Sequence, residues 1–190
     1  MALTGILLAA GRGKRFDPSG LQNKLLQALG DGAGDSVVAA SAKNLLAVLP
    51  RVVAVVRPGD DQVASLLAAL GCEVDICPDA DSGMAASLTH AISQTREAEG
   101  WLIALGDMPY VQPSTMRALA QAIADGADIA APVHDGRRGN PVAFSPRHLP
   151  LLLALEGDQG ARSILKNHSV TELIVNDHGI LRDIDTPADL

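Results

Sequence analysis

Hydrophobic and polar positions divide the chain into two kinds of segment, which alternate along most of its length. Short aliphatic runs predict strands at 5–8, 52–56, 72–77, 102–105, 129–132, 141–144 and 173–175. Longer stretches with helical spacing predict helices at 37–49, 60–70, 84–95 and 114–124. Three of the strand segments are continuously apolar, which is typical of strands that helices cover on both faces. The alternation favours a three-layer, Rossmann-like α/β fold with a mostly parallel sheet of about seven strands.

Residues typical of helix termini support these boundaries. The candidate N-caps and C-caps are Asp35 or Ser36, Ser82, Ser114, Gly71 and Gly126. Ligands of such sheets bind at the carboxyl ends of the strands, so we expect functional residues in the loops that directly follow strands. The length of 190 residues suits a single domain, 1–190.

Composition and charge exclude several kinds of partner. Aromatic residues make up only 2% of the chain, too few for a surface that stacks single-stranded nucleic acid. The net charge of −7 gives no general attraction to DNA or to acidic membranes. No apolar run is long enough to span a membrane, and the apolar N-terminus lacks the preceding positive charges of a signal peptide. Two cysteines make no disulfide framework. We therefore expect a cytoplasmic monomer with no nucleic-acid or membrane partner.

The loop after the first predicted strand has the features of a phosphate-binding site. Gly11 and Gly13 allow a sharp turn whose N–H groups approach a ligand. Four of the fifteen lysines and arginines fall between positions 12 and 24, which is unusual in an acidic protein and favours a nucleoside triphosphate. A dinucleotide fingerprint would need glycine in place of Phe16, and a Walker loop would need serine or threonine after Lys14. A basic, solvated loop remains an alternative.

Asp107 follows the predicted strand 102–105, at the edge of the sheet where ligands bind. Transfer of a group from a triphosphate requires neutralised phosphate charge, and Mg²⁺ held by one or two carboxylates is the usual means. The alternative for Asp107 is a turn-capping role. The five histidines are scattered without the spacing of metal ligands.

Six segments resemble, in order, the signature of the molybdenum cofactor cytidylyltransferase family, within the nucleotidyltransferase superfamily. They are Leu-Ala-Ala-Gly-x-Gly-x-Arg at 8–15 followed by a lysine, Ser-Gly-Met-Ala-Ala-Ser-Leu at 82–88, Gly-Asp-Met-Pro at 106–109, Gly-Arg-Arg-Gly-Asn-Pro-Val at 136–142, Gly-Asp-Gln-Gly-Ala-Arg at 157–162 and Asp-Ile-Asp-Thr-Pro at 183–187. The likeness departs from the family in one loop. Lys24 comes nine residues after Arg15, whereas the family's lysine follows sooner, and Phe16 replaces a methionine.

This resemblance implies a fold like that of nucleotide-diphospho-sugar transferases. It also implies an activity, the transfer of CMP from CTP to the phosphate of molybdenum-bound molybdopterin with release of pyrophosphate. The preference for CTP rests on Leu8-Ala9-Ala10-Gly11, because related guanylyltransferases usually have glycine in place of the second alanine. The implied partners are CTP, a molybdopterin-type acceptor and a receiving molybdoenzyme or its chaperone.

The resemblance also implies roles for individual residues. Arg15, Lys24 and Asp107 would be catalytic, and Asp107 and Asp185 would hold Mg²⁺ or Mn²⁺, with Asp183 as a fallback. The nucleotide would contact Leu8, Ala9, Ala10, Gly11, Gly13, Arg15, Lys24, Ser82, Gly83 and Ser87. The acceptor would contact Arg137, Arg138, Asn140 and Arg162. The structural alternatives are an ordinary helix N-terminus at 82–87, a helix N-terminus at Asp185 before Thr186-Pro187, and a charged surface loop at 137–140.

Competing functions remain at this point. The same chemistry would serve a guanylyltransferase for the same cofactor, or a nucleotidyltransferase for a sugar or polyol phosphate. A protein of a different class would be a non-catalytic chaperone that binds nucleotide or cofactor. Asp107 and Lys24 together disfavour the chaperone, because binding alone does not need a metal carboxylate.

Overall fold

The computed structural model describes residues 2–30, 34–158 and 160–190, and in these residues eight strands form one sheet. The strands are β1 (Thr4–Ala9), β2 (Val52–Val56), β3 (Glu73–Ile76), β4 (Trp101–Leu105), β5 (Ile129–His134), β6 (Arg137–Arg138), β7 (Val142–Phe144) and β8 (Thr171–Ile174). Their order is β3-β2-β1-β4-β7-β5-β6, and β8 pairs with β5. Strands β6 and β7 run antiparallel to their neighbours, while the other pairings are parallel, which confirms the predicted mostly parallel sheet.

Helices cover both faces of this sheet. They are α1 (Val37–Leu46), α2 (Asp61–Leu70), α3 (Met84–Gln94), α4 (Pro113–Ala124), α5 (Leu149–Leu153) and α6 (Arg162–Asn167). Leu45, Leu67 and Leu119 belong to one buried cluster, and Leu88 and Leu152 to the other. Because aliphatic side chains point alternately to the two faces of each strand, a short apolar run supplies both clusters at once. The predicted three-layer architecture is therefore confirmed.

Trp101, the only tryptophan of the chain, shows how the core accommodates an aromatic residue. Its side chain is fully buried at the start of β4, and its indole Nε1 donates a hydrogen bond to Thr95 Oγ1 at 2.9 Å. The hydrogen bond satisfies a donor that would otherwise be buried without a partner.

Helix termini differ from the sequence predictions in several places. Helix α4 begins earlier than predicted, with Gln112 as N-cap and a proline at its first position, rather than at Ser114. Gly83, not Ser82, is the N-cap of α3, because Ser82 belongs to a short 3-10 helix, Ala80–Ser82. Ser36 is the N-cap of α1 but makes no capping hydrogen bond with its side chain. Gly71 ends α2 in the left-handed conformation, as predicted.

Two long-range hydrogen bonds assemble the edge where the strands end. The N–H of Gly106 donates to the carbonyl of Leu8 at 2.9 Å, which joins the ends of β1 and β4. The N–H of Ile184 donates to the carbonyl of Asp107 at 2.8 Å. The second bond brings a segment from near the C-terminus beside the loop that follows β4. In the described part of the chain, no helix combines the length and apolar character that crossing a membrane requires.

Candidate active site

The loop after β1 turns back on itself through Gly13. Gly13 has a φ of 61°, which favours glycine, and its carbonyl accepts hydrogen bonds from the N–H groups of Phe16 and Asp17 at 2.9 and 3.1 Å. Phe16 is only 6% exposed and anchors the loop in the core. A β-carbon at Gly13 would contact the aliphatic part of the Lys24 side chain. The two ends of the loop therefore pack directly together.

The long spacing between Arg15 and Lys24 is taken up by a turn that the Asp17 carboxylate organises. This carboxylate accepts hydrogen bonds from the Ser19 hydroxyl at 2.5 Å and from the backbone N–H of Gln22 at 2.7 Å. These bonds, chiefly that of Ser19, lower the pKa of Asp17. The extra residues thus form a closed turn, and the chain returns to the sheet at Lys24.

Lys24 is the buried cation of the site. Its Nζ donates to Asp107 Oδ2 at 2.7 Å and to the carbonyl of Ile184 at 2.8 Å, and lies 3.7 Å from Asp185 Oδ1. Only 10% of its side chain is exposed. Two of the three ammonium donors are therefore used in hydrogen bonds, and Asp185 adds an ion pair at longer distance. In this arrangement Lys24 contacts the acidic residues rather than facing open solvent.

Three carboxylates meet beside Lys24. Asp107, Asp183 and Asp185 each present an oxygen, and these oxygens all lie within 4.8 Å of one another. Burial raises the pKa of Asp183, and the negative charges of Asp185 and Asp107 raise it further. Carboxylate oxygens are the ligands that Mg²⁺ and Mn²⁺ prefer, so this cluster fits a hard divalent cation. Asp183, given in the sequence analysis only as a fallback, is thus a full member of the cluster.

Arg15 reaches the same cluster from the glycine loop. Its Nη1 donates to Asp185 Oδ2 at 2.6 Å. The guanidinium side chain is 78% exposed, in contrast to the buried Lys24. The cationic loop and the acidic residues are therefore in direct contact.

A second ion-pair cluster, centred on Asp81, joins the loop after β1 to the segment after β3. The Asp81 carboxylate accepts from Arg12 Nε at 2.7 Å and from Arg57 Nη2 at 2.6 Å. The hydrogen bond from Arg12 is the main cause of the lowered pKa of Asp81. Sequence reasoning did not select Asp81, although its place in the loop after β3, at the ligand-binding edge, was a usable signal.

A cleft of about 490 Å³ connects these groups. The predicted residues that line it are Leu8, Ala9, Ala10, Gly11, Gly13, Arg15, Lys24, Gly83, Ser87, Asp107, Asp185 and Arg162. The lining also includes Asp158, which sequence reasoning missed. Its formally charged residues balance, with the cations Arg12, Lys14, Arg15, Lys24 and Arg162 and the anions Asp81, Asp107, Asp158, Asp183 and Asp185.

The end of the cleft near α3 requires glycine at position 83. Gly83 has a φ of 117°, and a β-carbon there would lie 2.7 Å from the carbonyl oxygen of Gly157. That carbonyl accepts the N–H of Ala85 at 3.1 Å, which ties the segment at 157–158 to the start of α3. Ser87 is buried here beside the thiol of Cys77. The close approach of Gly83 and the Gly157 carbonyl thus brings the neighbouring Asp158 to the cleft.

Four predicted contacts lie outside the cleft lining. Ser82 is exposed in the 3-10 helix that precedes α3. Arg137 and Arg138 are exposed on β6, which pairs with β5, and Arg138 Nε donates to Glu172 at 3.2 Å. Asn140 lines a separate cavity of about 10 Å³. Of the proposed acceptor residues, the structure therefore brings only Arg162 to the cleft.

Comparisons with known proteins agree with this fold. The sequence profile of the MobA-like NTP transferase domain matches residues 5–172. The purine catabolism protein PucB of Bacillus subtilis is 28% identical over 198 residues, covering 97% of this chain and 92% of PucB. The crystal structure of Rv0371c from Mycobacterium tuberculosis superposes with a TM-score of 0.84 at 28% identity, covering 100% of this chain and 96% of that one. A structure of Rv0371c in complex with manganese matches at 26% identity and a TM-score of 0.79, with the same coverage.

Proposed function

The chain belongs to the MobA-like NTP transferase family, and from this premise we propose that it transfers CMP from CTP to the phosphate of molybdenum-bound molybdopterin. Pyrophosphate would be the second product. The observation that carries the proposal is the contact between Arg15 and Asp185, since it unites a phosphate-binding loop and an acidic cluster in one cleft. The preference for CTP rests on the likeness at Leu8-Ala9-Ala10-Gly11.

The triphosphate would bind along the glycine loop. The N–H groups at 11–13 and the guanidinium of Arg15 supply donors for phosphate oxygens, and Lys14 adds positive charge to the same cleft. The base would lie toward Gly83 and Ser87, which line the end of the same cleft near α3. Arg162 is then the cleft residue available to the acceptor's phosphate.

Asp107, Asp183 and Asp185 would hold Mg²⁺ or Mn²⁺. When bound there, a divalent cation would supply positive charge to neutralise the phosphate oxygens. The manganese-bound structure of Rv0371c supports a metal in this group of proteins. Lys24, through its hydrogen bonds to Asp107 and the carbonyl of Ile184, keeps the carboxylates together despite their mutual repulsion. We therefore assign Lys24 a positioning role.

In the proposed reaction an oxygen of the acceptor phosphate attacks the α-phosphorus of CTP. The new bond joins this oxygen to the α-phosphorus, and the bond from the α-phosphorus to the bridging oxygen breaks. Pyrophosphate departs with that electron pair. The attacking oxygen is already anionic, so the step needs no strong general base, and positioning and electrostatics supply most of the rate. Arg15 would stabilise the charge that develops on the phosphates.

A matrix of substrates tests the proposal. The purified protein is incubated with each of the four nucleoside triphosphates and with molybdopterin, a sugar phosphate or a polyol phosphate, with Mg²⁺ or Mn²⁺. Pyrophosphate and product mass are measured. We expect metal-dependent pyrophosphate from CTP and molybdopterin, and molybdopterin cytosine dinucleotide as product. If the protein instead turns over GTP, or uses a sugar or polyol phosphate as acceptor, that compound is the substrate and the present assignment is wrong. Nucleotide binding without pyrophosphate would indicate a chaperone.

A further inference from the structure

Two cations contact the acidic cluster, and they differ in how firmly they are held. Lys24 is buried and donates to a backbone carbonyl as well as to Asp107, so it is built into the structure. Arg15 is 78% exposed and is bound to the cluster through Nη1 and Asp185 Oδ2, 2.6 Å apart. An exposed ion pair of this kind contributes little to stability and exchanges easily.

We propose that Arg15 is an exchangeable cap on the metal ligand Asp185, and that it makes nucleotide and divalent metal bind cooperatively. Without nucleotide, the guanidinium covers a carboxylate oxygen that the metal needs. A triphosphate offers Arg15 better acceptors, because a guanidinium binds phosphate oxygens in a fork with two N–H groups. The move of Arg15 to the phosphates releases Asp185 Oδ2 to the metal. This inference rests on the proposed function for the identity of the nucleotide.

The energetic reason lies in charge exchange. A metal that enters alone must displace Arg15 and leave its positive charge close to a dication without a partner. A nucleotide that enters alone must draw Arg15 from Asp185 and leave three carboxylates with one ammonium. When both enter, Arg15 pairs with the phosphates and the released carboxylate pairs with the metal. Coupling of this kind is reciprocal, so metal tightens nucleotide binding by the same factor as nucleotide tightens metal binding.

Two other cations of the loop serve as matched controls. Arg12 pairs with Asp81, and the structure shows no hydrogen bond or ion pair between Arg12 and Asp107, Asp183 or Asp185. Lys14 lines the same cleft and is exposed. Replacing either residue removes one positive charge from the loop without uncovering Asp185. These variants therefore show whether a gain in metal affinity comes from uncovering Asp185 or only from removing a positive charge near the metal site.

The test is a titration with Mn²⁺, in which electron paramagnetic resonance measures the free ion. It is carried out on wild type, Arg15→Gln, Arg12→Gln and Lys14→Gln, first without nucleotide and then with saturating α,β-methylene CTP, which cannot release pyrophosphate. For wild type we expect the analogue to tighten Mn²⁺ binding about tenfold or more. Without nucleotide, Arg15→Gln should bind Mn²⁺ roughly fivefold more tightly than wild type, and its response to the analogue should shrink accordingly. The two control variants should keep the wild-type Mn²⁺ affinity without nucleotide.

The titration without nucleotide tests whether Arg15 caps Asp185, and its result does not depend on the proposed function. Equal Mn²⁺ affinity of Arg15→Gln and wild type would overturn the cap, even if CTP is the substrate. An equal gain of affinity in all three variants would overturn it as well, since a field effect would then explain the data. Tighter Mn²⁺ binding by Arg15→Gln alone would support the cap, whether or not the analogue binds. Failure of the analogue to bind would refute the coupling and the assigned nucleotide.

Discussion

Lys24 offers the sharpest test of how the acidic cluster is held together. The substitution Lys24→Met keeps most of the aliphatic side chain and removes the ammonium. Asp107, Asp183 and Asp185 then remain close together without the buried cation that offsets their charge. We expect the folded protein to lose stability and the loss to shrink in acid, because protonated carboxylates no longer repel each other.

The magnitude follows from the contacts that are lost. Each of the two hydrogen bonds that Nζ donates contributes about 1.5–3 kcal/mol net, because it is charge-assisted. Carboxylates whose oxygens lie within 4.8 Å of one another repel each other by roughly 1 kcal/mol or more in water and roughly 3 kcal/mol or more at an effective dielectric constant of about 20. Asp107 and Asp185 keep 24% and 26% of their side-chain surface exposed, so water screens part of this repulsion. Removal of the ammonium also removes the cost of burying its charge, so we expect a total loss of about 3–5 kcal/mol.

Urea unfolding, followed by far-ultraviolet circular dichroism, measures this loss as a change in the free energy of unfolding. Lys14→Met is the control, because Lys14 is an exposed cation of the same loop, and it should change stability by less than about 0.5 kcal/mol. Adding Asp107→Asn to Lys24→Met should recover part of the loss. If Lys24→Met is as stable as the control, Lys24 does not hold the carboxylates together.

Three further predictions concern other parts of the molecule. Asp107→Asn should lower metal-dependent pyrophosphate release by roughly 10²–10³-fold while the circular dichroism spectrum is kept, since one charged contact to the reacting groups is lost. Gly83→Ala should lower the free energy of unfolding by about 1–3 kcal/mol or more, because the residue has a φ of 117° and its β-carbon would lie 2.7 Å from a carbonyl oxygen. Burial and the neighbouring His168 lower the pKa of His148, against the smaller opposing effect of Asp128. The neutral His148 imidazole therefore contributes its full stability above about pH 6.5, and this contribution is lost as the pH falls through the lowered pKa. Between about pH 7 and 5, His148→Gln should accordingly lose less stability than wild type. Urea unfolding at each pH measures the difference.

Controls make these outcomes decisive. Gly126→Ala is the counterpart of Gly83→Ala, because Gly126 also has a positive φ, but a β-carbon there would extend into open space among the described residues. Equal losses in the two variants would show that crowding at Gly83 is unimportant. Wild-type turnover in Asp107→Asn would refute its assignment to the metal. A stability of His148→Gln that falls with pH as steeply as in wild type would refute the role of this histidine.

The fold was largely predictable, because it depends on local patterns. The strand at Val52–Val56 is buried at every position and has its predicted bounds, since an apolar run of that length fits only the interior of the sheet. The pair Arg137–Arg138 lies outside every predicted strand but forms β6. Two charged residues carry no strand pattern, and only pairing with β5 orders them. Helix α3 begins at Met84 as predicted, but the N-caps Gly83 and Gln112 were missed because serine is the more common capping residue.

The site was predictable as far as each residue follows a strand. Arg15 and Asp107 lie in loops at one edge of the sheet, and the general rule for parallel sheets brought them together. The contribution of Asp183, and the hydrogen bond of Lys24 to the carbonyl of Ile184, depend on how a distant segment pairs with the loop after β4. No local pattern encodes that pairing. Asp158 was missed for the same reason, since its position depends on the glycine at 83.

The burial of Trp101 decides which optical signals can be used with this protein. The indole is enclosed at the beginning of β4, whereas Asp107 lies beyond the other end of that strand, which is roughly 13 Å long. Its emission will therefore shift to longer wavelength on unfolding but will stay almost constant when the cleft is filled. Intrinsic fluorescence is thus a selective gauge of global denaturation, and ligand titrations require an added chromophore or a spin signal.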